Sequence, residues 1–507
     1  MTLRMRGRVL GLLMVFLFLP FGVSAEDVLE RFEKKVTRFA LDNGMTFLVA
    51  ERHRAPVVSF VVFVDVGGVN EPKGQTGIAH FLEHMAFKGT PEIGTRNWEK
   101  EQGLLKETDH AYADWLQAQY GPEVRSEQRV QALRRTFERL RDKANAYVVP
   151  NAYAKILERN GATDINAATS EDYTFYFCSL PANRVELWFR LESDRLRNPV
   201  FRQFYTEKEV VLEERRMRID SDPTGRMFEA LLTMAYVAHP YGTPAIGWTT
   251  DVITTRRSQM HAFYDRHYIP SNITVAVVGD VDPHQVGKLA ETYFGSMAEK
   301  EPEFDIVTRE PEQQGERQFS QKGPSQPVYM EAYHSVDQLS KDAKPLEILA
   351  DILARGRVSR LYQSLVVRQG LAQSTHVFDG VPGDKYPGLF MIYLIPQTGA
   401  SVDDLVKALH EELLRISDEG ITPEELQRAK TRIRADLIRS LKSNLGLARR
   451  LAEAEAQMGG WRRVFTSLAE YERVTASHVR SVAKTYLIPE NRTSGRLRFE
   501  GAPKEER

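Results

Sequence analysis

The stretch His80-Phe81-Leu82-Glu83-His84 decides how this chain is read. At about 100° per residue, His80, Glu83 and His84 share one helical arc about 100° wide. Ile78, Phe81, Leu82 and Met85 fall on the opposite side. One face would pack into a core while the other presents two imidazoles and a carboxylate. The order inverts the H-E-x-x-H zinc motif. Neutral imidazoles are zinc ligands, and a carboxylate beside the metal can take a proton from water. The alternative is a helix with two surface histidines paired to Glu83.

A catalytic zinc takes three protein ligands and leaves one position for water. The segment from Glu207 to Arg215 reads as helix, with no Gly or Pro before Pro223. Two turns separate Glu207 from Glu214, so both lie within about 20° of one direction. Val210 and Val211 make that stripe partly apolar, where a carboxylate needs a cation. Glu209 and Glu213 point elsewhere. Glu214 is either the third ligand or the partner of Arg218 at i, i+4 on a solvated face.

His80-x-x-Glu83-His84 followed by Glu207-x6-Glu214 resembles the pitrilysin or insulinase family, the inverted zincins. Asn43-Gly44 between two apolar runs is similar to the family's first hairpin. The segments Gly161-Ala-Thr-Asp-Ile-Asn166-Ala167-Ala168-Thr169, His239-Pro-Tyr-Gly242 and Ile269-Pro270-Ser-Asn272 also fit. The resemblance implies Zn²⁺ held by His80, His84 and Glu214, with Glu83 activating water. It implies support of the site by Glu207, and an extended peptide lying along the strand at Asn166 and Ala167.

Net charge is −1, so nothing marks nucleic acid or an anionic membrane as a partner. Residues 1–25 read as a signal peptide. Arg4, Arg6 and Arg8 precede an apolar run, and Val23-Ser24-Ala25 fits a cleavage site. The expected location is periplasmic or secreted, without stable membrane insertion after cleavage; an uncleaved anchor is the alternative. Cys178 is the single cysteine, so no intrachain disulfide forms. Its aromatic neighbours place it in the core.

A degenerate repeat runs through the rest. Ile269-Pro270-Ser-Asn272-Ile-Thr274 recurs as Ile488-Pro489-Glu-Asn491-Arg-Thr493, and Thr206-Glu207 recurs at nearly the same interval as Thr422-Pro-Glu-Glu425. The second copy has no H-x-x-E-H. Its counterpart helix, near Leu346 to Leu353, carries Glu347 and Asp351. The expected class is therefore α+β, with two homologous roll-like domains. Each would be an antiparallel-type sheet covered by helices. Residues 26–297 form the zinc-binding peptidase domain, 298–316 a polar, Pro-containing linker, and 317–507 a peptidase-like domain without the motif.

Two departures from the family pattern stand out. The interval from His84 to Glu214 exceeds the family's usual one by about the length of a helical hairpin, placed at about 95–150. It reads as a solvated arm, or as a lid or docking surface, removable without loss of the fold. The segment Ser359 to Gln373 resembles the family's substrate-holding region, where active relatives carry an Arg and a Tyr. Alignment on Gly370-Leu371-Ala372 puts Val366 and Gln373 there instead. The expectation is a zinc endopeptidase acting on extended peptides with a homologous zinc-less partner subunit as a heterodimer, or else as a homodimer. The alternatives are a zinc-binding assembly subunit of weak activity and a peptide-binding module.

Overall fold

The computed structural model describes residues 33–122, 126–302 and 306–499. The expected signal peptide lies outside them. The first half builds a sheet from β1 (Val36–Ala40), β2 (Thr46–Glu51), β3 (Val57–Val64), β4 (Thr163–Thr169), β5 (Thr174–Pro181) and β6 (Ile273–Gly279). Their order is β1-β2-β6-β3-β5-β4, antiparallel except for the parallel β2–β6 pair. The second half builds β7 (Arg317–Gly323), β8 (Val328–His334), β9 (Ala372–Val381), β10 (Leu389–Pro396) and β11 (Arg492–Phe499). Their order is β7-β11-β8-β10-β9, with β7–β11 the parallel pair. Apart from β1, the sheets match position for position. The α+β duplication is borne out. The one parallel pair in each sheet follows from connectivity, since each half's last strand returns after the helical body to enter between β2 and β3 or between β7 and β8.

Buried strands read as continuous apolar runs because both faces are covered. In β3, Val58, Phe60, Val62 and Val64 enter one core while Val61 and Phe63 enter another. The first of these cores lies under the half's own helices. The second is closed by the helix Asn444–Gln457, which belongs to the other half and lies across β3 and β6 through Leu447, Ala448, Leu451 and Ala452. The exchange is reciprocal. The first-half helix Pro223–Ala235 lies across β8 and β11, with Met227, Leu231 and Leu232 against Val328, Met330 and Leu497.

The insertion is a hairpin of helices Trp98–Tyr120 and Glu127–Asn145, with Asn97 and Ser126 accepting the N-terminal N–H groups of Lys100 and Arg129. A removable arm does not fit what it buries. Tyr112, Leu116 and Phe137 belong to the first core, and the Glu101 carboxylate is wholly enclosed. Cys178 is buried as expected. No helix among the described residues is long and apolar enough to cross a membrane.

Candidate metal centre

The helix Ile78–Met85 carries the motif and buries Ile78, Ala79, Phe81, Leu82 and Met85. Its N-terminus is fixed by sequence. Gly77 adopts φ +84, and a Cβ there would lie 2.5 Å from the carbonyl oxygen of Ile246. The buried Glu71 carboxylate accepts the N–H groups of Gly77 (2.7 Å) and Ala79 (2.8 Å), which would otherwise be orphaned. The motif helix packs against β4 and against the helix Phe204–Arg215. Phe81 and Phe204 meet there with ring centroids 4.7 Å apart.

This contact brings His80, His84 and Glu214 together, with one ligand atom from each lying within 4.8 Å of the others. Glu214 Oε2 is 3.4 Å from His84 Nε2 and 3.7 Å from His80 Nε2. Ligands around a tetrahedral zinc at ~2.0–2.1 Å stand about 3.3 Å apart, so the donor set fits that ion and the two Glu214 distances approach that spacing. The other oxygen of Glu214, Oε1, pairs with Arg218 at 2.8 Å. One oxygen of Glu214 thus makes the Arg218 pair while the other faces the two histidines. Glu213 pairs with Arg216 at the surface and Glu209 pairs with Arg141, away from the histidines.

Electrostatics act in opposite directions on the two imidazoles. Burial, with lesser contributions from the charges of His84 and Arg218, lowers the His80 pKa to about 3, so its imidazole is neutral. His80 Nδ1 is buried with no hydrogen-bond partner. Burial also opposes charge on His84, but the hydrogen bond and charge of Glu207 outweigh it and raise the pKa. Glu207 Oε1 lies 3.0 Å from His84 Nδ1, and its second oxygen holds Lys88. Those two bonds overcome the burial of Glu207 and draw its pKa below the ordinary carboxylate value. In the neutral ring, donation of Nδ1–H to Glu207 leaves His84 Nε2 as the free lone pair.

Glu83 sits beside the three without joining them. Its Oε2 accepts a 2.6 Å hydrogen bond from Thr169 Oγ1, at the end of β4. Burial raises the Glu83 pKa against that bond. Asn166 and Ala167 lie on β4, an edge strand; Asn166 is exposed and its Oδ1 accepts the Ala167 N–H at 2.9 Å. Val366 packs against the second core, and Gln373 is exposed on β9. Arg368 pairs with Glu412 of its own half. Sequence reasoning gave no role to Thr169, Lys88 or Glu71. Thr169 was visible only as the last letter of the strand motif, and Lys88 only as the residue one turn beyond His84.

The family description Insulinase (Peptidase family M16) matches residues 46–147 and 136–248, and Peptidase M16 inactive domain matches residues 255–433. The chain belongs to this metallopeptidase family. Among its relatives is the zinc protease PqqE of Helicobacter pylori, 26% identical over 456 residues and aligned over 87% of each chain. An uncharacterized zinc protease of Bacillus subtilis, YmxG, is 22% identical over 89% of this chain and 95% of its own. In structure the chain resembles a protease from Helicobacter pylori, with TM-score 0.75 and 23% identity over 92% of this chain and 99% of that one. It also resembles the periplasmic protease PqqL of Escherichia coli, with TM-score 0.67 and 17% identity, over 92% of this chain and 48% of that one.

Proposed function

We propose that this protein is a zinc-dependent endopeptidase hydrolysing extended peptides in the periplasm. Residues 26–297 would supply the metal and residues 317–507, joined through 298–316, a peptidase-like wall without one. The observation that carries this is the convergence of His80, His84 and Glu214 with Glu83 beside them. The names of the relatives as zinc proteases support the choice of ion. Bound there, zinc would polarise the scissile carbonyl and make water more acidic. Glu83 takes a proton from the attacking water and delivers it to the leaving amine. Thr169 aims the Glu83 carboxylate, and Glu207 keeps His84 in the tautomer that leaves Nε2 free. The peptide adds as a strand along β4 at Asn166 and Ala167, where main-chain pairing gives affinity with loose sequence preference. The signal-like segment 1–25 supports export. The experiment is peptide-library turnover by the purified chain with and without chelator. Glu83→Gln should keep stoichiometric zinc and lose about 10²–10⁴ in rate; parental turnover by that variant would overturn the assignment.

Val366 and Gln373 favour a second reading, in which the site is divided between chains. A homologous zinc-less partner would supply the missing Arg and Tyr in a heterodimer, with a homodimer as the alternative. Arg368 pairs with Glu412 of its own half. Comparing turnover of the chain alone and with its co-purified partner tests this, and full turnover by the monomer would remove it.

A further inference from the structure

The inserted hairpin grips the segment around Glu207 at several points. Arg202, two residues before the helix Phe204–Arg215, is buried and pairs with the hairpin's Glu101, Nε to Oε1, at 2.9 Å. Its remaining donors reach the carbonyls of Lys88 (2.6 Å), Ile93 (2.8 Å) and Thr90 (2.9 Å). Gly89 and Gly94, both at positive φ, make room for it; a Cβ on either would stand 2.8 or 2.9 Å from its Nη1. Lys88 in turn places its ammonium on Glu207. One buried guanidinium thus ties the hairpin both to the segment leaving the motif helix and to the approach to the Glu214 helix.

The other contacts flank Glu207 directly. Lys208 is buried and donates to Tyr112 Oη (2.9 Å) and to the carbonyls of Ile253 (2.8 Å) and Thr255 (2.6 Å). The Tyr112 ring lies 4.4 Å from its ammonium. No carboxylate pairs with it among the described contacts; Asp109 acts on it only at longer range. Asp109 accepts the Tyr205 hydroxyl at 2.7 Å, and the Tyr205 ring packs against both Tyr112 and Phe137. Asn145 donates to Thr206 Oγ1 at 3.2 Å. Tyr205, Thr206 and Lys208 are therefore all held by hairpin residues, and Glu207 stands between them. An ammonium buried among neutral acceptors is costly, and each acceptor it loses leaves a desolvated charge less satisfied. The Tyr112 hydroxyl thereby acquires leverage over the helix position.

We propose that the inserted helical hairpin is a positioning element of the metal centre, fixing Glu207 and, through Glu207, the orientation of His84. The proposal rests on the zinc reading above and names what holds that site in this chain. Tyr112, Asp109, Glu101 and Asn145 are positioning residues that touch neither metal nor substrate.

The test is the zinc affinity of the purified full-length chain, measured by competition with a chromogenic chelator, alongside the thermal midpoint of the metal-free protein. Loss of a partner that orients a ligand typically lowers metal affinity about 10–100-fold, and Glu207→Ala should do so. Tyr112→Phe, which keeps the ring and deletes the Lys208 acceptor, should lower affinity by a smaller factor, about threefold to tenfold. In the Glu207→Ala background the same change should have no further effect, because the two act in series. Asn145→Ala leaves the core untouched and should act in the same direction more weakly; it carries the test if Tyr112→Phe does not fold. Parental affinity in both variants would overturn the proposal, as would an undiminished loss in the Glu207→Ala background. A parent chain that binds no zinc would overturn the underlying functional reading as well, a result distinct from either.

Discussion

The two halves meet the same structural problem at the same corner and solve it differently. In the first, the motif helix and the Phe204–Arg215 helix bring His80, His84 and Glu214 to one point. In the second, the helix Ala343–Ala354 packs against β9 and the helix Pro423–Ser440, as the motif helix packs against β4 and its partner. Glu347 and Asp351 keep the spacing of His80 and His84, and Arg432 follows Glu425 at the interval by which Glu214 follows Glu207. Arg432 pairs with the buried Asp351, Nε to Oδ1, at 3.0 Å. The chain supplies its own cation there. A cleft of about 360 Å³ remains beside the pair, lined by Glu347, Asp351, His376 and Asp379. A buried carboxylate needs hydrogen-bond donors or a cation whichever half it occupies. In the first half Arg218 occupies one oxygen of Glu214, and two imidazoles face the other.

The largest expected effect comes from giving the first half the residue of the second. Glu214→Arg should abolish zinc binding and turnover while leaving the far-ultraviolet circular dichroism unchanged. Stoichiometric zinc in that variant would show that the third ligand lies elsewhere.

The exchanged helices offer the next test. Leu451→Ala, on the helix that covers the first sheet, should cost ~2–5 kcal/mol, and Leu231→Ala on the reciprocal helix about the same. Hydrogen exchange should show lost protection in β3 for Leu451→Ala, although residue 451 belongs to the other half. Loss of protection confined to the mutated half would break the coupling of the two cores.

At the second-half corner, Asp351→Ala strands Arg432 without its partner. Arg432 is about one-third exposed (29%), so the cost should be ~1–3 kcal/mol, below that of a fully enclosed pair. Adding Arg432→Met should recover much of it in denaturant unfolding. No recovery would mean that the pair does not act as a substitute cation. The smallest effect is expected for Thr169→Val, which deletes one hydrogen bond to Glu83. The value of kcat should fall about tenfold, as one bond to a charged group implies, with zinc content unchanged. An unaltered kcat would show that Glu83 needs no aiming.

The sequence made the metal corner legible because its information is local. Helical spacing alone sets His80, Glu83 and His84 on one face and aligns Glu207 with Glu214. The duplication was legible through turn sequences such as Ile-Pro-x-Asn, which serve the same junction twice. The burial of the hairpin was not. Glu101 lies in a segment that reads as a solvated arm, and only tertiary structure encloses it with Arg202 and buries Lys208 among carbonyls. The crossing of Pro223–Ala235 and Asn444–Gln457 was equally hidden. An amphipathic stripe states that a helix must be covered, but not which sheet covers it.

That crossing has a consequence for how the protein is made. The first sheet is complete once Gly279 has been synthesised, yet the helix that closes its outer face begins at Asn444, 444 − 279 = 165 residues later. At ~5–20 residues per second, Leu48, Val61, Phe63 and Val278 wait about ten to thirty seconds for their cover. The nascent chain therefore carries a bare apolar surface for much of its synthesis, a surface on which a chaperone can act before the chain can close it.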